Sequence, residues 1–294
     1  MHKKTILLAL TVWLALSGAA VAQAPAPDPN LVYIPAAVTG LKNAYVAGLT
    51  KDNFKLLEDG IQQTVTSFYA DELPMDVDIV LALGALQRGR ADLNSSKIRE
   101  AIENFRQQGN PKNKYTVEEM PFGANGLFDA ISRHVTRLAE VSANPRKMVL
   151  VLTDGFESSG GDPARTLSEY VKKLPVPIYI VFAAGTSAGP TDIQELGRGQ
   201  AIHLSGGAGY EDIARFSGGR LYQAEADTQL RANLETLAQE LKNQYMLGFK
   251  STNDARDDKW RKIEIKMLNP PNGLKEKDLK VKVRDRYFVA KVKK

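Results

Sequence analysis

KMVLVLTDGFESSGG, Lys147 to Gly161, holds the reading that decides the fold. Met148 to Leu152 are all apolar, and the run then stops at Thr153-Asp154-Gly155 and a polar, glycine-rich stretch. A continuous apolar run bounded by turn residues reads as a buried strand. This one ends on a carboxylate, so Asp154 either caps a turn or holds something.

The same character extends outward over residues 76–243. VDIVLAL reads as an apolar strand, and SSKIREAIENFRQQ as a helix with Ile98, Ile102 and Phe105 on one face. NGLFDAISRHVTRLAEV is a second helix, with Leu127, Ile131, Val135 and Leu138 in register. After the strand at 148–153 come helix PARTLSEYVKKL, strand VPIYIVFAA, helix GYEDIARFS, the short strand GRLYQ and helix DTQLRANLETLAQELKN. Pro163 suits the first turn of its helix. Apolar strands alternating with amphipathic helices predict an α/β fold, a doubly wound, mostly parallel sheet covered on both faces. NPKNKYTVEEM, between the first two helices, leaves room for one edge strand.

Both flanks read as β. In 31–75, LVYIPAAVTG is a strand, and NFKLLEDGIQQTVTSFYA is two strands joined around Asp59-Gly60, a strong hairpin signal. In 244–294, QYMLGFK, WRKIEIKML, LKVKVRD and RYFVAKV alternate as half-buried strands do. Each flank alone offers too few strands for stability, so the two are expected to form one β-rich unit beside the α/β domain.

The N-terminus lies outside this plan. MHKK supplies charge, TILLALTVWLAL an apolar run, and SGAAVA small residues with an Ala20-Val21-Ala22 exit. That order predicts a signal peptide over 1–22, cleaved near Ala22-Gln23, with 23–30 a Pro-rich tether. The expected location is secreted or periplasmic in a bacterium, with no stable membrane span after cleavage; a retained anchor is the alternative. The absence of cysteine excludes a disulfide framework, a thiolate metal site and a cysteine nucleophile. A net charge of +5, near +3 once Lys3 and Lys4 leave, is too small to argue for nucleic acid. The excess sits in the C-terminal flank. It reads either as a site for an anionic partner or as lysines guarding strand edges, and alternation with Ile, Val and Leu favours the second.

Six segments in order resemble the von Willebrand factor type A family, in the bacterial form with β-rich flanks. They are GLTKDNFKLLEDGIQQTVTSF, GANGLFDAI, VLVLTDGFESSG, DIARFSGGRLY, LAQELKNQYMLGF, and the tail pair WRKIEIKM with VKVRDRYFVA. The resemblance implies a Rossmann-like domain with a divalent-cation site at the carboxyl ends of the strands. An Asp-x-Ser-x-Ser motif, a Thr and an Asp would supply hard oxygen ligands there, and a partner's carboxylate would complete the shell. The chain departs from that pattern. Gly84 stands where the first aspartate belongs, Leu86 and Arg88 where the serines belong, and Asn125 at the threonine position; Asp154 alone matches.

Asp154 and Asn125 therefore read as vestiges of a metal site, with no cofactor expected beyond weak Mg²⁺ or Ca²⁺. Arg88 or Arg90 is a candidate internal cation for Asp154. A rebuilt site would draw on Asp92, Asn94, Asp129 and Asp154, with Ser96 completing the spacing of Asp92 and Asn94. Against that, Asp92, Asn94 or Ser95 suits a helix cap, and Asp129 suits a helix first turn. GFKST and SGGAGYED lack the spacing of phosphate-binding loops. His134 and His203 stand without a pattern of catalytic partners. The leading expectation is an exported, non-enzymatic binding or scaffold protein with an unidentified protein partner. Metal-dependent adhesion is the alternative, and a hydrolase the third reading.

Overall fold

In the computed structural model, residues 31–70, 73–83, 95–120, 126–157, 163–183, 193–196, 200–204, 208–271 and 273–291 are described. Strand β7 (Lys147–Thr153) forms the middle of the α/β unit. Its residues Met148 to Leu152 are at most 1% exposed. They read as a continuous apolar run because both sheet faces are covered. Met148, Leu150 and Leu152 meet one helix layer, and Val149 and Val151 meet the other. Each such side chain contributes about 1.5–3 kcal/mol on burial.

β7 pairs in parallel with β5 (Asp76–Ala82) and β9 (Ile178–Phe182). The sheet is completed by β6 (Lys114–Glu119) beyond β5 and β12 (Leu221–Gln223) beyond β9, also parallel. Helices α1 (Ser95–Gln108) and α5 (Asp227–Lys242) cover one face. The other face carries α2 (Leu127–Val141), α3 (Pro163–Val171) and α4 (Ala208–Ser217). This is the doubly wound arrangement, and β6 is the single strand for which the segment between α1 and α2 has room. A small antiparallel sheet was not foreseen: β10 (Ile193–Leu196) and β11 (Gln200–Leu204) form a hairpin, and β11 also pairs with β8 (Phe156–Glu157).

The flanks fold together as a β-sandwich. In one sheet β1 (Val32–Thr39), from the N-terminal flank, lies between β15 (Lys280–Val283) and β13 (Gln244–Phe249), both from the C-terminal flank. In the other, β14 (Lys259–Met267) lies between β16 (Arg286–Val289) and β2 (Phe54–Glu58). Ile34, Ala36 and Val38 interleave with Leu56, Leu247, Phe249, Ile263 and Ile265 to make the core. The turn at Asp59-Gly60 has positive φ at both residues (49° and 83°), as a two-residue hairpin turn requires.

Two strand readings need correction. The hairpin's second run is not one strand. β3 (Ile61–Gln63) stays with β2, and β4 (Val65–Tyr69) crosses to pair with β13 in the facing sheet. Gln63, buried at the crossing, fixes the switch by donating to Thr252 Oγ1 (2.9 Å) and accepting from the Thr252 amide (3.1 Å). β13 is buried along its whole length rather than half-buried. Tyr245, Leu247 and Phe249 fill the sandwich core, while Gln244 and Met246 face Met148 and Tyr179 of the α/β unit.

The two units meet in a seam of rings and cations. Trp260 packs on Phe288 (5.4 Å between centroids) and on Phe216 of α4 (6.2 Å). Lys172 lies over the Phe288 ring and Arg215 over Phe216. Arg284 donates to the Phe216 carbonyl (3.1 Å), and burial pushes its guanidinium down to about 10.

β1 receives partners from the C-terminal flank on both of its edges, and β2 receives β14. Deleting 244–294 should therefore strip amide-exchange protection from 32–39 and 54–58 together. Protection that survives in both strands of the truncated chain would contradict the shared sandwich.

Candidate functional site

The carboxyl edge of the parallel sheet is set by the local chemistry of Thr153-Asp154-Gly155. The buried Thr153 Oγ1 accepts the Gly155 amide at 3.0 Å, which turns the chain. Gly155 has φ +81°, and a Cβ there would stand 2.5 Å from Phe182 Cε2, so only glycine fits. The Asp154 amide donates to Ala82 O (3.1 Å) and ties the end of β7 to the end of β5. Asp154 is half-buried. Below this edge Tyr210 stacks on Phe128 (5.6 Å) and meets Phe182 (5.7 Å), giving a rigid floor.

Asp129 lies in the first turn of α2, exposed, after Gly126 with φ +101°. A negative charge is favourable at that helix end without any ligand. Asn125, Arg88, Arg90, Asp92 and Asn94 fall outside the described residues, and so do Gly84 and Leu86. α1 begins at Ser95, directly after the Asp92-Asn94 stretch. Among the described residues no three His, Asp or Glu side chains converge as metal ligands.

A second constellation escaped the sequence reading. β5 is not wholly apolar: Asp78, at its middle, is 1% exposed. His134 of α2, 7% exposed, places Nδ1 2.7 Å from Asp78 Oδ2 and Nε2 2.8 Å from Glu118 Oε2 on β6. Arg137 forks onto Asp78, with Nε 3.1 Å from Oδ2, and Arg133 donates to Glu118 Oε1 at 2.8 Å. With Asp78 and Glu118 ionised each can only accept, so this geometry calls for hydrogen on both ring nitrogens, the imidazolium form of His134. The hydrogen bond to Asp78 raises its pKa most, against the opposing effect of burial. Burial pulls Asp78 upward, but the bonds from His134 and Arg137 outweigh it and leave its pKa below the usual carboxylate value. The signal was legible: an acid inside a buried strand requires a cationic partner, and His134 interrupts the apolar face of α2 between two arginines. Chemically the cluster is a clasp that binds α2 to β5 and the edge strand β6. With both ring nitrogens engaged by carboxylates, His134 has no free lone pair to act as a base. His203 lies in β11.

No family model matches the chain, and no curated protein matches it in sequence. Solved structures do resemble it. A von Willebrand factor type A protein from Catenulispora acidiphila is 8% identical, with a TM-score of 0.44 over 92% of this chain and 75% of that one. The protein BatB from Bacteroides thetaiotaomicron is 13% identical, with a TM-score of 0.39 over 57% of this chain and 97% of that one. The pilus adhesin SpaC from Lactobacillus rhamnosus is 9% identical, with a TM-score of 0.39 over 81% of this chain and 46% of that one. The element order of this chain, independently of those likenesses, makes it an α/β protein with a doubly wound parallel sheet and a β-sandwich drawn from both termini.

The clasp makes a signed pH prediction. A raised histidine pKa contributes stability that is fully present below about 6.5 and is lost as pH rises through the folded-state value. Urea unfolding from about pH 6 to about pH 9 should show wild type losing a component that His134→Gln lacks. The variant should be less stable by about 1.5–3 kcal/mol at the acid end, because Asp78 loses a charged hydrogen-bond donor while keeping Arg137. Parallel pH profiles for the two proteins would refute the assignment.

Proposed function

We propose that the protein is an exported, non-enzymatic binding or scaffold protein whose α/β unit engages another protein without a divalent cation. One observation carries this reading. In the sequence Asp154 follows an apolar strand, while Gly84, Leu86 and Arg88 stand where the motif this chain resembles has its oxygen-bearing aspartate and serines. By that resemblance an Asp154 carboxylate and an Asn125 amide would be the oxygens left, a weak donor set for a hard cation. Arg88 or Arg90 would supply the cation by a guanidinium fork. Export is supported by the charged start, apolar run and Ala-x-Ala exit of residues 1–22. Among the described residues no helix is long and apolar enough to cross a membrane. The engaged ring nitrogens of His134 support the non-enzymatic reading.

A metal-dependent adhesion reading keeps one observation in its favour. Asp154 and Asp129 stand at the end of a strand and the start of a helix on the same unit, and Asp92 and Asn94 could join them. Calorimetric titration with Mg²⁺, Mn²⁺ and Ca²⁺ separates the two. The proposal expects no saturation tighter than about 10⁻³ M. Micromolar binding that disappears in Asp154→Ala would overturn it. Crosslinking in the native cell, followed by identification of the bound chain, tests the protein-binding half.

A further inference from the structure

The alternation of lysine with apolar residues in the C-terminal flank reads as edge protection, and that holds for Lys280 and Lys282 on β15, an outer strand. It fails for β14, which is an inner strand of its sheet. Inward residues Arg261, Ile263, Ile265 and Met267 are buried, so Lys262, Glu264 and Lys266 stand on the outer face. The register places Lys266 directly opposite Lys55 on β2 and Lys262 directly opposite Arg286 on β16. Like charges in direct cross-strand pairs destabilise a sheet. Two such pairs on one face do not serve the fold.

We infer that this face is a docking surface for an acidic polypeptide segment. Lys262 and Lys266 are exposed, and the side chains of Lys266 and Arg286 are 59% and 51% accessible. Glu264 lies 3.3 Å from Lys266, Asp285 lies 3.0 Å from Arg286, and Asp59 accepts the Lys262 amide at the margin. The four cations still exceed these acids. Along the strand the two cationic pairs are four residues apart, about 13 Å at the rise of an extended chain. Half-buried Leu57, opposite Glu264, sits between them. An extended partner with carboxylates at i and i+4 and an apolar residue at i+2 matches this layout, because those positions share one face of a strand. Three of the four cations are lysines, which act as point charges rather than phosphate forks. Trp260 and its cross-strand partner Phe288, the aromatic rings at this end of the face, pack on each other, and Trp260 also packs on Phe216 of α4, so neither is available as a membrane-interface anchor.

This goes beyond the protein-binding proposal: it concerns the sandwich and not the α/β edge, so either can fail alone. The test is titration of the full-length mature chain with a fluorescent peptide carrying a Glu-Thr-Leu-Thr-Glu repeat. Saturable, salt-sensitive binding is expected, and Lys262→Glu with Lys266→Glu should weaken it by about tenfold or more. The double variant Lys112→Glu with Lys114→Glu changes net charge equally on the α/β unit and should shift binding by less than about twofold. Lys55→Glu should raise the melting temperature, by relieving a like-charge pair, while weakening peptide binding. The inference is overturned by absence of saturable binding, by equal losses in the two double variants, or by a Lys55→Glu chain that is stabilised yet binds as before. Preferential binding to phosphatidylglycerol vesicles over the peptide would overturn it in favour of a lipid surface.

Discussion

The guanidinium of Arg146 is the point on which the two-unit structure depends. The chain passes between sandwich and α/β unit after β4 and again after α5. Arg146, 5% exposed and just before β7, donates to the Leu73 carbonyl on the first passage (2.7 Å) and to the carbonyl of Leu241 in the last turn of α5, where the second passage begins (2.6 Å). Both carbonyls are thereby satisfied where no regular ladder reaches them. A charged donor serves here because its two arms can hold separate acceptors at fixed geometry. Once both passages are fixed, β13 must leave α5 directly into the space between β1 and β4, and its burial on both sides follows.

Burial of charge recurs as the organising device in this chain. Asp78 sits inside the parallel sheet and is held by His134 and Arg137. Glu58 is buried in the sandwich, where Tyr287 and Ser251 donate to it. Burial first, and then Glu58, push the Tyr287 phenol upward, so it remains a donor. Glu240 of α5 meets Arg220 of the α/β unit and Lys282 of the sandwich. Removing one partner from such a group costs more than the pair itself contributes, because the other charge stays buried. The consequence is register: each network accepts one relative placement of its elements. The outer face of β14 is the contrasting case, where charges are exposed and repel.

The layered α/β unit was legible because Met148 to Leu152 and the stripes of α1, α2 and α5 follow simple periodicities. Asp59-Gly60 was legible because only a few residue pairs tolerate two positive φ values. What stayed hidden was long-range. Nothing local to Thr64 marks the change of sheet between β3 and β4; it is fixed by Gln63 meeting Thr252, far along the chain. The alternation of β13 suggested one solvated face, but the α/β unit covers it. The hairpin of β10 and β11 interrupts a segment without strong apolar alternation. Lysine on β14 looked like edge protection until strand order placed it inside the sheet. At the candidate site Asp154 was found from its position after an apolar run, whereas Asp78 was passed over because its neighbours are apolar.

The central claim is that the two units fold as one, through Arg146. Replacing it with methionine keeps most of the volume and removes both arms. Urea unfolding of Arg146→Met should remain a single transition and lose about 2–5 kcal/mol, the cost of leaving two buried carbonyls unpaired. Amide protection should fall in β1 and β13 of the sandwich along with β5 and β7 of the α/β unit. A loss under about 0.5 kcal/mol, with exchange altered only beside residue 146, would contradict the account.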